Sequence, residues 1–240
     1  MSAILDIKNV SKVFGETNAL DNVSFSVNKG EFVFLTGSSG AGKTTLIRII
    51  LKELTPDSGE VVFNGEPLSS IKRKNIPKHR RRIGVVFQDY KLLYERTVRE
   101  NIEVALAVVG VNRKDWGERV EAVLKLVGME HRSEFFPAQL SGGELQRTTI
   151  ARALVVNPSL ILADEPTGNL DWDTADSILD ILKRINDDGK TIIVATHHRL
   201  IVERMKEREV KLEGGKMVGG EKKTKSSNKN KSKPKSKSEK

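Results

Sequence analysis

The stretch EFVFLT (Glu31–Thr36) runs straight into GSSGAGKTT and then into the helical pattern TTLIRIILKEL. A short, nearly continuous apolar strand, a glycine-rich turn and an apolar helix in immediate succession leave the chain few folds to choose from. Gly37, Ser38, Ser39, Gly40, Ala41, Gly42, Lys43 and Thr44 match G-x-x-x-x-G-K-[ST] in this strand-to-helix context, with Thr45 completing the run. Glycines at such places let backbone N–H groups curl around phosphate oxygens where a Cβ would obstruct them, and the helix N-terminus adds its positive end. Lys43 is predicted to reach the β- and γ-phosphates of a bound nucleoside triphosphate, and the Thr44 hydroxyl to ligate Mg²⁺.

The second half of such a site is LILADE. A buried strand delivers Asp164 at its carboxyl end, where ligands sit in open α/β sheets, and Glu165 follows it. Asp164 is expected to hold the metal, and Glu165 to orient and deprotonate the attacking water. Around these motifs strands and helices alternate. ILDIKNVSKVF and VSFSV open the chain as β-structure, EVVFNG adds a further strand, and IGVVF, SLILADE and TIIVAT read as buried strands. This pattern predicts an α/β P-loop NTPase with a mostly parallel core sheet and an antiparallel β-subdomain. Residues 89–140 change character and read as an inserted helical subdomain. Thr97 and Glu100 form a capping box for one helix, and Gly128 ends a second that carries Val120, Val123, Leu124 and Val127.

The net charge of +9 and the absence of cysteine bound the remaining possibilities. Nine Lys and two Glu fall within residues 221–240, so the body is nearly balanced and the high isoelectric point belongs to a tail. Without aliphatic or aromatic residues that tail, 219–240, is expected to be disordered and at most to touch anionic lipid. No apolar run of membrane-spanning length and no signal-peptide pattern is visible, and cysteine-free composition fits a reducing compartment, so a soluble cytoplasmic protein is expected.

LSGGELQR (Leu140–Arg147) holds a second glycine patch. Ser141 and Glu144 form a capping box, which accounts for a helix start. It does not account for Gly142 and Gly143, each of which costs a helix about 1 kcal/mol relative to Ala, and these glycines are expected where backbone must approach something closely.

With this stretch and Gln88 added, the chain resembles the ATP-binding cassette (ABC) ATPases over about residues 3–218. The motifs that carry the resemblance are the phosphate loop at 37–44, Gln88 after IGVVF, LSGGE at 140–144, LADE, the turn Asn169-Leu170-Asp171, and His197 after TIIVAT. Within the family, FQDYKLL…RTVREN and FPAQLSGGELQR are most similar to cell-division members, whereas DEPTGNLD is also shared with lipoprotein-release and macrolide-export members. The resemblance implies ATP as ligand with Mg²⁺, Gln88 as a sensor of metal or water, and His197 as a γ-phosphate contact. It also implies a homodimer in which Ser141, Gly142, Gly143 and Asp171 of one copy face the ATP of the other, and an integral membrane partner docked on the helical subdomain. Phe14 stands as the candidate for stacking on adenine, where the family often has Tyr; the alternative is an ordinary core residue. His198 departs from the Asp that commonly follows the family's histidine matching His197. His79 and His131 read as surface residues, and Trp116 and Trp172 as packing residues. Neither a coiled-coil nor a zinc insertion is visible, so nucleic acid is not an expected partner.

Overall fold

The computed structural model describes residues 3–219; the Lys/Ser-rich stretch lies outside them. In chain order the elements are β1 (Ala3–Phe14), β2 (Thr17–Asn28), β3 (Phe32–Thr36), α1 (Lys43–Ile50), β4 (Ser58–Phe63), β5 (Glu66–Pro67), α2 (Ile76–Arg80) and β6 (Ile83–Phe87). There follow α3 (Val98–Val109), α4 (Trp116–Val127), α5 (Gly142–Leu154), β7 (Leu160–Asp164), α6 (Trp172–Asp187), β8 (Thr191–Thr196), α7 (Arg199–Met205), β9 (Arg208–Glu213) and β10 (Lys216–Gly219).

Two sheets divide the strands. β2-β1-β4-β5 is antiparallel, and β10-β9-β3-β8-β7-β6 is parallel apart from the β10 edge. β3 and β8 are buried at every position, as strands covered on both faces must be. Alternate residues of β3, β7 and β8 feed two separate cores. Val33, Leu35, Leu162 and Ile193 pack with α1 and the inner face of the antiparallel sheet, where Val23, Phe25 and Val27 recur at period two. Phe34, Ile161, Ala163 and Val194 pack instead with α3 to α6.

Local chemistry sets the helix ends. The Thr97–Glu100 capping box opens α3, and Gly128, at φ 70°, closes α4. Asn101, in the first turn of α3, is wholly buried. Its amide donates to the carbonyls of Leu93, Arg96 and Thr97, and its oxygen accepts from Leu93 N at 2.8 Å. These bonds fasten the segment that leaves β6 onto the helices. No helix among the described residues is long and apolar enough to cross a membrane.

Several sequence expectations need correction. The first helix stops at Ile50 rather than near Leu54, because Lys52 turns into the left-handed region at φ 54° and the N–H groups of Glu53 and Leu54 both fold back on Arg48 O. His79 is buried, only 3% exposed, and bonds Ile50 O through Nε2 at 2.7 Å, so its charged neighbours in sequence mislead. Trp116 does pack, with its indole N–H on Val111 O, but Trp172 is 50% exposed at the first turn of α6. Phe14 is 45% exposed and is not a core residue.

Candidate active site

Strand register brings the site together. Phe87 of β6 lies beside Asp164 of β7, Asp164 beside Ala195 of β8, and Thr36 of β3 beside Thr196. The residues that follow these strand ends, Gln88, Glu165, His197 and Gly37, therefore emerge at the same edge of the sheet, at the carboxyl ends of parallel strands.

The phosphate loop is wedged against the protein on its outer side. At Gly42, φ is 103° and a Cβ would stand 2.4 Å from Ala19 O; at Gly37 one would stand 2.4 Å from Leu212 O. No other residue fits either place. α1 then begins at Lys43, whose buried ammonium donates to Gly37 O at 2.7 Å and Ser38 O at 3.2 Å. Lys43 also pairs with Glu165 Oε1 at 3.4 Å. Thr44 Oγ1 donates to Asp164 Oδ2 at 3.0 Å. Burial raises the Asp164 carboxyl above its ordinary range against the opposing Thr44 hydrogen bond, and the neighbouring Glu165 charge adds to the rise.

Glu165 sits in the left-handed region at φ 49°, a costly conformation for a residue with a Cβ, and its N–H is held by Ala195 O at 2.9 Å. Its Oε1 accepts from His197 Nδ1 at 2.9 Å. The His197 ring in turn lies against His198, centroids 4.3 Å apart, so the second histidine supports the first. Gln88 Nε2 donates to Asn169 Oδ1 at 3.2 Å, and Asn169 Nδ2 donates back to Gln88 O at 3.3 Å. A cavity of about 430 Å³ is lined by Ser39 to Thr45 with Gln88, Glu165 and His197.

Two buried carboxylate oxygens there, Asp164 Oδ1 and Glu165 Oε2, have no hydrogen-bond partner. Hard oxygens of this kind, beside a threonine hydroxyl, suit a divalent cation of the Mg²⁺ type.

The structure brings Lys43, Thr44, Asp164, Glu165, Gln88 and His197 together. Ser141, Gly142, Gly143, Asp171 and Phe14 do not line that cavity. Ser141 caps α5: its Oγ accepts from Glu144 N, and its N–H and Oγ–H both reach Glu144 Oε2 at 2.9 Å. The Ser141 backbone N–H is the largest influence holding the Glu144 carboxyl below its ordinary value. Asp171 caps α6 by accepting from Thr174 N at 3.0 Å. A Cβ on Gly143 would come 2.5 Å from Thr174 Cγ2, and one on Gly142 would come 3.2 Å from both Leu170 Cδ2 and the Tyr90 hydroxyl. The close approach expected at these glycines is thus already made within the chain, by α6 and the loop before it. Asn169, the partner of Gln88, was visible in the sequence only as part of a turn; 81 residues separate the two.

A sequence profile described as ABC transporter matches residues 20–168. The cell division ATP-binding protein FtsE of Streptococcus pneumoniae serotype 2 is 48% identical over 222 residues, 92% of this chain and 96% of that protein. A dimeric bacterial ABC transporter cassette of known structure is 38% identical with a TM-score of 0.81, covering 91% of this chain and 98% of that one. The same cassette in a post-hydrolysis state with ADP and Pi is 37% identical at a TM-score of 0.79, with the same coverage. The chain belongs to the ABC transporter family, as an ATP-hydrolysing cassette similar to FtsE.

Proposed function

We propose that two copies of this chain close on ATP as the motor of an FtsEX-type complex, and that their motion passes through the integral membrane protein FtsX to regulate cell-wall hydrolysis in division. The observation that carries this reading is the division of the motifs. Every hydrolytic group converges on one cavity, yet the Ser141–Gly143 cap stands outside it with Ser141 exposed. Head-to-tail pairing about a two-fold axis would bring each cap to the other copy's γ-phosphate, and the assembly closes because both surfaces are used twice.

In the chemistry we assign, the Lys43 ammonium turns from the Gly37 and Ser38 carbonyls onto the β- and γ-phosphates. Glu165, relieved of that partner, orients a water and takes its proton. His197 contacts the γ-phosphate, while its Nδ1 keeps the Glu165 side chain in place. Thr44, Asp164 and Gln88 would hold Mg²⁺. Bound there, the ion offsets the charge of the β- and γ-phosphates. Phe14, half-exposed beside the Lys12 ammonium, is our candidate for stacking on adenine. ATP favours the closed pair because it touches both copies, and ADP does not.

Residues 1–218 form the cassette in this proposal, with 89–140 as its helical subdomain. An apolar groove of about 450 Å³ between β6 and α3, lined by Val85, Phe87, Ala105 and Val108, suits the membrane partner and would hold the chain at the inner face of the membrane. Glu165→Gln keeps the side chain's size and removes its basicity. With ATP and Mg²⁺ this variant should double its mass by light scattering; a variant that stays monomeric would sink the proposal.

A further inference from the structure

α5 carries a guanidinium tied at both ends to the loop that follows β6. Arg152 Nη2 donates to Tyr90 O at 2.9 Å, and Nη1 donates to Lys91 O at 2.7 Å. Tyr90 and Lys91 both lie in the left-handed region, at φ 57° and 53°. For residues with a Cβ this conformation is strained, so consecutive residues keep it only when held from outside. The two carbonyls point at one fork, and a planar guanidinium is the side chain built to bind both at once. Burial lowers the Arg152 pKa from its ordinary value, the mark of a head group drawn away from water.

The same loop reaches three parts of the proposed machinery. Two residues before Tyr90, Gln88 lines the phosphate cavity and bonds Asn169. The Tyr90 hydroxyl lies against Gly142 of LSGGELQR. On its other side Arg152 lines the apolar groove with Phe87 and Val108.

We propose that Arg152 is the positioning residue for Gln88: by fastening the Tyr90 and Lys91 carbonyls it sets where the Gln88 amide stands over the phosphate cavity. Because Arg152 also lines the groove, whatever occupies the groove reaches Gln88 through it. This inference rests on the role given to Gln88 above.

The test is a double-mutant cycle on the full chain, with steady-state ATPase kinetics and thermal melting. Arg152→Lys keeps the charge but loses the rigid planar fork whose two nitrogens each take one carbonyl. Its kcat should fall about tenfold, the size of one lost charge-assisted hydrogen bond. KM for ATP should stay near native, and the melting temperature should fall by a few degrees at most. In a Gln88→Ala background the same substitution should cost nothing further. Arg152→Gln, which retains one donor, should show the same non-additivity and serves where Arg152→Lys folds poorly. Losses that multiply across the cycle would overturn the inference and leave the role of Gln88 standing. Native turnover in Gln88→Ala alone would overturn both.

Discussion

Gly143→Ala places two effects in opposition on one residue. Gly143 lies in the first turn of α5, where replacing Gly by Ala would ordinarily stabilise the helix by up to about 1 kcal/mol. The added Cβ, however, would stand 2.5 Å from Thr174 Cγ2, about 1 Å inside ordinary methyl contact. Thr174 is β-branched and stiff, and the residues that follow it on α6, Ala175 and Ile178, are fully packed, so the helix cannot retreat. Inserting a methyl into such a contact costs about 1–3 kcal/mol, which outweighs the propensity gain. After the full propensity gain a net loss of up to about 2 kcal/mol remains, which for a chain of this size lowers the melting temperature by up to about 8 °C. Thr174→Ser deletes the opposing methyl and keeps the backbone N–H that Asp171 caps. Urea denaturation of the two single variants and the double should show Thr174→Ser relieving Gly143→Ala. Gly142→Ala should be nearly neutral, because the atoms it meets are the movable ends of Leu170 and Tyr90. A Gly143→Ala chain more stable than native would refute the reasoning.

His79 should make stability depend on pH. Burial holds its pKa below the ordinary value against the opposing Ile50 O hydrogen bond and the Glu66 charge, and protonation would bury an unpartnered Nδ1–H close to Arg82 and Lys52. The unfolded chain then binds the extra proton first, so stability is full above the unfolded pKa of about 6.5 and declines as pH falls below it. Urea midpoints at pH 7.5 and 5.5 should diverge in the native chain more than in His79→Gln; equal divergence would sink the assignment. Trp172, exposed beside the Asp171 cap, should become buried when two copies close. In a Trp116→Phe, Glu165→Gln chain, ATP with Mg²⁺ should shift the remaining tryptophan emission to the blue, and an unmoved spectrum would argue that this turn stays outside the interface.

The sequence made the site's chemistry readable because phosphate loops and strand-end carboxylates are local: Gly37 to Thr44 and Asp164-Glu165 each fall within one strand-to-loop transition. The parallel core was equally plain, since β3, β7 and β8 are each built on a run of four apolar residues. Long-range partners left no such trace. Gln88 meets Asn169, Arg152 meets Tyr90 and Lys91, and Gly143 meets Thr174 only once the sheet has been assembled. His79 misled for a related reason. Its neighbours Lys78, Arg80 and Arg81 are exposed, while one turn of α2 points the imidazole inward onto Ile50 O. Composition averaged over such a stretch cannot tell which residue faces in.

Mixing two inactive variants tests the shared site most directly. Lys43→Ala disables the phosphate loop, and Ser141→Arg disables the cap. A heterodimer of the two keeps one composite site in which both halves are native. Each variant alone should be inactive, and an equimolar mixture should recover about a quarter of the native ATPase rate, since half of randomly paired dimers carry one intact site of two. A mixture no more active than its separate components would contradict the closure of two copies on ATP.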